Sequence, residues 1–470
     1  MAVNRTDPPW QGDTVSLVDA FRAGERSPLE ELEATLAAVE ASSLNAVCFT
    51  DAEAAREAAR TADVGLPFGG VPIGVKELDR VEGWPDTHAS VPFADEIATS
   101  TSTQVTRLRA AGAIAAVQTT ASEFGGVNQT LTKLHGATRN PWNPERTPGG
   151  SSGGSSAAVA GGLTTIATGG DGGGSIRIPA GFTGLFGLKC TWGRIPRGPR
   201  VGPGNLTAVP GCLSRSVRDT ARWFDVVNGF DGHDPLSLPR VEGWEAGLGS
   251  HLDSLADLSA VIAPDLDRLA VVAPETVELV VEAAEWLLAA AGVARRDVPV
   301  TIPRPGGAWG VTGSVGLART VGDRWPDCAA DLTGPMRAGV RSAHEHYDVN
   351  AAVRAERRRI DINEAMADLF ESVDLVLCAT NPDVAFTADG HLPNTFGGIE
   401  ARHSNHGALT IPANIYGNPS VSIPIGLDSA GLPVGLQVMA AHHHEPLLLD
   451  LALLVERERP WPLVAPGAPA

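Results

Sequence analysis

The sequence predicts an α/β layered fold with helices on both faces of a sheet, and two observations carry that expectation. Short, branched apolar runs alternate along the chain with longer amphipathic stretches, the pattern of strands alternating with helices. Hydrophobic residues make up 43% of the 470, enough for a sizeable buried core. No run of eighteen apolar residues is available to span a bilayer.

The elements follow in order. Ser27-Pro28-Leu29-Glu30 is a capping box with proline at the first helical position, and the helix it opens repeats Leu29, Leu32, Leu36 and Val39 on one face. An alanine-rich helix follows Asp51. Residues 71–75 are short, branched and apolar, so they read as a buried strand that delivers Lys76. A helix over 103–111 stops at Gly112, and 113–117 is the next strand. Further on, 216–227 is a helix with Val217, Trp223, Val226 and Val227 inward, 269–272 a strand, and 274–291 a helix packed through Val277, Val280, Val281, Leu287 and Leu288. From 292 to 348 the chain is rich in Gly, Pro, Trp and Arg, the place expected for a lid or specificity segment.

Charge and cysteine content narrow the function. Thirty-six basic against 55 acidic residues give a net charge of −19, which repels phosphate backbones at long range and argues against nucleic acid as a bulk ligand. Arg354, Arg357, Arg358 and Arg359, with Glu356 and Glu364 nearby, read as the solvated face of a helix. Cys48, Cys190, Cys212, Cys328 and Cys378 are odd in number and widely separated, so no disulfide framework is expected. Neither His442-His443-His444 nor the pair His344 and His346 has companions that would complete a metal site, and neither metal nor cofactor is expected. Residues 1–13 contain no apolar h-region, which points to the cytoplasm and to no membrane.

The chemistry is concentrated between residues 149 and 189. Gly149-Gly150-Ser151-Ser152-Gly153-Gly154-Ser155 is followed by small apolar residues and then by Asp171-Gly172-Gly173-Gly174-Ser175-Ile176-Arg177. A linker would be polar throughout, and a P-loop needs a lysine and a Ser or Thr directly after its glycines. A serine that ends a triple glycine can meet a carbonyl beside backbone N–H groups, here those of Gly172, Gly173, Gly174 and Ser175, as an oxyanion hole. Asp171 and Arg177 flank the turn as an ion pair that would hold its shape. Ser152 is expected only to shape its turn and Ser155 to open a helix. His88, His135 and Asp79 stand in no nucleophile-elbow context, so a Ser-His-Asp triad is not expected.

These turns resemble the signature of the amidase signature family, serine hydrolases with a Ser-Ser-Lys triad. The resemblance extends to Gly69-Gly70-Val71-Pro72-Ile73-Gly74-Val75-Lys76-Glu77, to His135-Gly136-Ala137-Thr138-Arg139-Asn140-Pro141-Trp142, and to the blocks beginning at Asn418 and Gly431. It implies one compact domain over 1–470 around a large twisted mixed β-sheet, with N-terminal helices in 14–62, a catalytic core in 69–230, and closing strands and a helix in 370–462. It also implies Lys76 as base, Ser151 as bridging serine after a cis peptide bond, and Ser175 as nucleophile.

The activity implied is hydrolysis of small-molecule amides, anilides or carbamates (a urethanase) by a monomer or homodimer. The alternative is a glutaminase-type subunit of a tRNA amidotransferase. Two positions depart from the family pattern. Gly172 replaces a side chain and opens space beside the nucleophile, where Trp309, Trp325 and Phe396 are expected to line a ring pocket, and Cys190 reads as a small buried hydrophobe.

Overall fold

The strands run β1 (Val47–Thr50), β2 (Pro72–Lys76), β3 (Ile114–Thr119), β4 (Leu131–Thr132), β5 (Gly136–Ala137), β6 (Ile166–Asp171), β7 (Gly187–Lys189), β8 (Val209–Ser214), β9 (Ser259–Ile262), β10 (Ala294–Arg295), β11 (Leu375–Ala379), β12 (Thr395–Phe396), β13 (Ile399–Glu400), β14 (Ser420–Leu427) and β15 (Pro433–Ala440). The computed structural model describes residues 7–199, 201 and 206–469, so 1–6, part of the stretch read for a leader, lie outside the described residues.

Five strands form a sheet in the order β1-β3-β2-β6-β8, and six form another in the order β10-β9-β11-β15-β14-β7. A bridge between Phe186 and Ser214 links the two at β7 and β8. The pairing is mixed: β2 runs parallel to β3 and β6, whereas β8 and β14 run antiparallel to their neighbours. One core cluster joins Ile73 and Val75 of β2 to Val421 of β14 and to Leu436 and Val438 of β15. The two sheets therefore share a core, and the fold is a single α/β domain.

Helices cover both faces because neighbouring strand residues point to opposite sides. Ile114 and Ala116 of β3 pack with Leu32 and Ala55 from helices Pro28–Ala41 and Ala52–Arg60. Ala115 packs instead in the cluster of Leu108 and Trp223, from helices Thr103–Ala110 and Val217–Val227. The Ser27–Glu30 capping box is formed, with Ser27 Oγ accepting from Glu30 N–H and the Glu30 carboxylate accepting from Ser27 N–H.

Two expectations are corrected. Residues 269–272 are not a strand; the strand is β9, which pairs in parallel with β11. Leu266, Asp267 and Arg268 all have positive φ (51°, 51° and 71°), so the chain turns there, and Leu269, Ala270 and Val272 are buried as loop. An apolar run records burial and not extension. Of the four arginines read as a solvated face, Arg359 is buried on helix Val349–Ser372. The segment 292–348 carries two helices, Gly306–Val321 and Gly334–Glu345.

Candidate active site

Lys76 ends β2, where five consecutive buried residues carry it into the interior. Its backbone N–H donates to Thr168 Oγ1 on β6 at 2.8 Å, which ties the lysine to the adjacent strand. Its Nζ lies 2.8 Å from Ser151 Oγ and 2.8 Å from Ser152 Oγ. Burial lowers the Lys76 pKa to about 8, against the opposing pull of Asp79, Asp171 and Glu77.

Ser151 follows a cis peptide bond from Gly150. The two serines lead into helix Gly153–Ala160, which presses against the end of β3: a Cβ at Gly154 would sit 2.4 Å from the Thr120 backbone. That close approach is why the turn is built of glycine.

The second turn leaves the end of β6. Asp171 and Arg177 are both fully buried and form an ion pair, Nη2 to Oδ1 at 2.9 Å and Nε to Oδ2 at 3.0 Å. Arg177 also donates to Gln437 Oε1, Asn414 Oδ1 and the Thr410 carbonyl. Burial alone would raise the Asp171 pKa, but the Arg177 guanidinium and the Asn414 amide hold the carboxyl well below the usual carboxylate range.

The Asp171 carboxylate also accepts from Gly174 N–H at 2.8 Å and from Ile176 N–H at 3.2 Å. The expected four-donor oxyanion turn is therefore corrected. Gly174 N–H is committed to Asp171, whereas the N–H groups of Gly172, Gly173 and Ser175 meet no acceptor among the described residues. The carbonyls of the turn are held on the other side: Trp309 Nε1 donates to Gly172 O at 2.7 Å, and Thr410 Oγ1 donates to Gly173 O at 2.6 Å.

Lys76, Ser151, Gly172, Gly173 and Ser175 line one cavity of about 750 Å³. Its other wall is helix Gly306–Val321, whose Gly310, Gly313 and Gly316 face open space. Trp309 lines the cavity as expected. Trp325 does not: it stacks on His344. Phe396 lines a different pocket beside His406. The physical reason is local packing, since β12 and β13 form their own hairpin and Trp325 joins the small cluster around Met336 and Val340.

Sequence reasoning gave Ser152 too small a part, for it is as near to Lys76 as Ser151 is. His88 and Asp79 also line the cavity, but the candidates for a Ser-His-Asp triad are each engaged elsewhere. His88 stacks on Phe124, His135 Nε2 lies 2.9 Å from Glu77 Oε2, and Asp79 accepts from Thr168 and Gln104, so they form no triad. Cys48 closes a small hydrogen-bonded group with Glu77 and His135 that the sequence did not announce. All five cysteines are free, and burial pushes the Cys190 thiol up to about 12. Among the described residues no helix is long and apolar enough to cross a membrane.

A lysine sunk beside serine hydroxyls and facing a turn of open N–H groups across a roomy cavity belongs with enzymes that cut amide bonds. The Amidase family profile matches residues 30–315 and 324–449. An acylamidase of Rhodococcus erythropolis is 33% identical over 93% of each chain, and a glutamyl-tRNA(Gln) amidotransferase subunit of Synechococcus sp. is 34% identical over 92% of this chain and 94% of that one. Among solved structures, a bacterial aryl acylamidase superposes with a TM-score of 0.87 at 26% identity over 96% of this chain and 97% of its own. A 6-aminohexanoate cyclic dimer hydrolase in complex with substrate superposes at 0.86 and 29% identity over 98% and 99%. The chain belongs to the amidase signature family and is an amide-hydrolysing enzyme.

Proposed function

We propose that this chain hydrolyses C–N acyl bonds of small-molecule amides, anilides and carbamates through an acyl-enzyme on Ser175. The observation that carries the reading is Lys76 Nζ at 2.8 Å from Ser151 Oγ, with a pKa lowered to about 8. A lysine works as a base only as the free amine, and about a tenth of the Lys76 population is neutral at pH 7 with that pKa.

Neutral Lys76 takes a proton from Ser151, and Ser151 takes one from Ser175 as its Oγ attacks the carbonyl carbon. The carbonyl oxygen becomes an oxyanion that accepts from the free N–H groups of the turn, and one such donor contributes about 3 to 4 kcal/mol. The proton returns through Ser151 to the leaving nitrogen, the C–N bond breaks, and water attacks the acyl-enzyme by the reverse relay. Asp171 and Arg177 support the turn without touching substrate. Carbamates present the same carbonyl and nitrogen, and the glycine-faced helix leaves room for a ring. The reading needs neither metal, cofactor nor nucleic acid, and suits a cytoplasmic monomer or homodimer.

A fluorophosphonate probe should add once to the intact protein and not to Ser175→Ala, as read by mass spectrometry; an adduct that survives in the variant overturns the assignment. Release of aromatic amine from an aryl carbamate tests the urethanase activity, and anilide turnover without carbamate turnover would restrict the enzyme to amides. A second reading, a glutaminase-type subunit, is favoured by the relatives described as glutamyl-tRNA(Gln) amidotransferase subunits. Turnover of anilides by the purified chain alone decides against it.

A further inference from the structure

The cavity contains one carboxylate that the proposed chemistry does not use. Among the described residues that line it, Asp79 is the only acidic one. Its Oδ2 is occupied, accepting from Thr168 Oγ1 at 2.6 Å and from Gln104 Nε2 at 2.9 Å. Its Oδ1 accepts no hydrogen bond, and no ion pair reaches it, among the described residues. Asp79 is nevertheless half-buried beside the cavity and not out in solvent. Burial raises its pKa, the mark of a carboxylate whose charge is poorly matched where it stands.

Its neighbour repeats the pattern. Gln104 is 2% exposed and also lines the cavity, and because its Nε2 is given to Asp79, its Oε1 is left without a partner among the described residues. Two side chains joined to each other thus carry two unused acceptor oxygens. Lys76 is the cation whose charge acts on Asp79, and of the other basic residues lining the cavity Arg80 is paired with Asp86 at 2.7 Å and Arg197 lies 3.9 Å from Asp234. Gln104 Oε1 is a buried acceptor without a donor, a costly arrangement, whereas Asp79 Oδ1 is not sealed from solvent and is free to accept from a donor brought by the ligand.

We propose that Asp79, with Gln104 beside it, is a specificity-determining residue that receives an ammonium group of the substrate, so that the preferred amides carry a protonated amine away from the scissile bond. The inference rests on the reading of Ser175, Ser151 and Lys76 as the hydrolytic centre. The net charge of −19 attracts cationic substrates at long range, and among the described lining residues, where Lys76, Arg80, Arg197 and Arg319 are basic, Asp79 is the one anionic point for an ammonium. The Asp79 carboxylate also favours the charged form of Lys76, so its removal affects the base as well as the substrate.

The test separates those effects by taking a ratio. ω-Aminoacyl anilides of increasing chain length are compared with unsubstituted acyl anilides of equal length at pH 8, where an aliphatic amine is protonated. Both members of a pair use the same base, so any change in Lys76 cancels from the ratio of their kcat/KM values. At the chain length that reaches Asp79 the ammonium substrate should be preferred about tenfold or more, and Asp79→Asn should abolish the preference. Equal turnover of both members at every length, or a preference that survives Asp79→Asn, overturns the proposal and leaves the hydrolytic reading intact. If neither series is cleaved, the hydrolytic reading fails, and the inference is then judged by calorimetric binding of the same anilides to Ser175→Ala. Tighter binding of the ammonium member, lost in Ser175→Ala/Asp79→Asn, supports it, and equal binding overturns it.

Discussion

Trp309 donates its indole N–H to the carbonyl of Gly172 at 2.7 Å, across 137 residues of sequence. The bond joins helix Gly306–Val321 to the turn that presents Ser175, so the segment expected to act as a lid or specificity element is fastened to the Ser175 turn itself. Ring and turn are close, since a Cβ at Gly173 would lie 3.1 Å from the indole.

Trp309→Phe keeps the ring and loses the hydrogen bond. A neutral bond of this kind contributes about 1 kcal/mol, so kcat should fall about fivefold with little change in melting temperature. Trp309→Ala also removes the wall and should raise KM for aromatic substrates further; steady-state kinetics on one anilide series measures both.

Lys76 Nζ is equidistant from Ser151 and Ser152, so proximity does not separate the two serines and the proposed relay through Ser151 must be told apart by kinetics. Lys76→Ala and Ser151→Ala should each lower amidase kcat by about 10² to 10⁴, the range of general acid–base catalysis. Ser152→Ala should cost less, because it removes a hydrogen bond that orients the lysine and leaves the relay in place. Esters should suffer less than amides in Ser151→Ala, since an alkoxide leaves without the proton an amine requires. Equal losses from Ser151→Ala and Ser152→Ala would assign the relay to both hydroxyls.

The pH profile of kcat should rise to a plateau above about 8. With Lys76 as the proposed base the active form is the free amine, and burial brings its pKa down from 10.5 to about 8, so the active fraction grows with pH up to that value and saturates beyond it. Asp79, Asp171 and Glu77 each favour the charged lysine. Replacing Asp79 by Asn should therefore move the rising limb to lower pH.

Glycine is required at one position of the turn after β6 more than at another. Gly174 has φ +122°, and a Cβ there would lie 2.5 Å from Thr410 Oγ1. At Gly172 the nearest atom to a Cβ is that of Ala208 at 3.5 Å, an ordinary contact. Gly174→Ala should destabilise the fold and abolish turnover, whereas Gly172→Ala should melt close to the parent and shift selectivity toward smaller acyl groups. Thermal melts with a graded acyl series check both.

The Asp171–Arg177 pair should act as a unit. Removing one partner from a buried pair costs about 3 to 5 kcal/mol because the other is left uncompensated. Arg177→Met and Asp171→Asn should each destabilise by that order, and the double variant by less than the sum, in denaturant unfolding of all four proteins.

Much of the fold was legible before any coordinates. The capping box at Ser27, the proline-led helix at Pro274–Ala291 and the buried strand before Lys76 are local events, written in side-chain chemistry and in periods of two and 3.6. The same holds for the two glycine turns, because few residues other than glycine tolerate such close backbone approach. The error at 269–272 has the complementary cause: burial looks alike in a strand and in a packed loop, and only pairing partners, here absent for Leu269 and present for Ala260 of β9, tell them apart.

Tertiary structure decided which groups actually meet. Chain distance carries no information on whether Lys76 points at Ser152 as well as Ser151, whether Gly174 N–H is spent on Asp171, or whether Trp309 and not Phe396 reaches the cavity. Each is settled by how strands and helices from remote parts of the chain are stacked. The sequence by itself determined the kinds of groups available and the local shapes that carry them; the packing of two sheets into one core determined their distances, their burial and hence the lowered basicity of Lys76, because desolvation and hydrogen bonding depend on neighbours that only the assembled fold brings near.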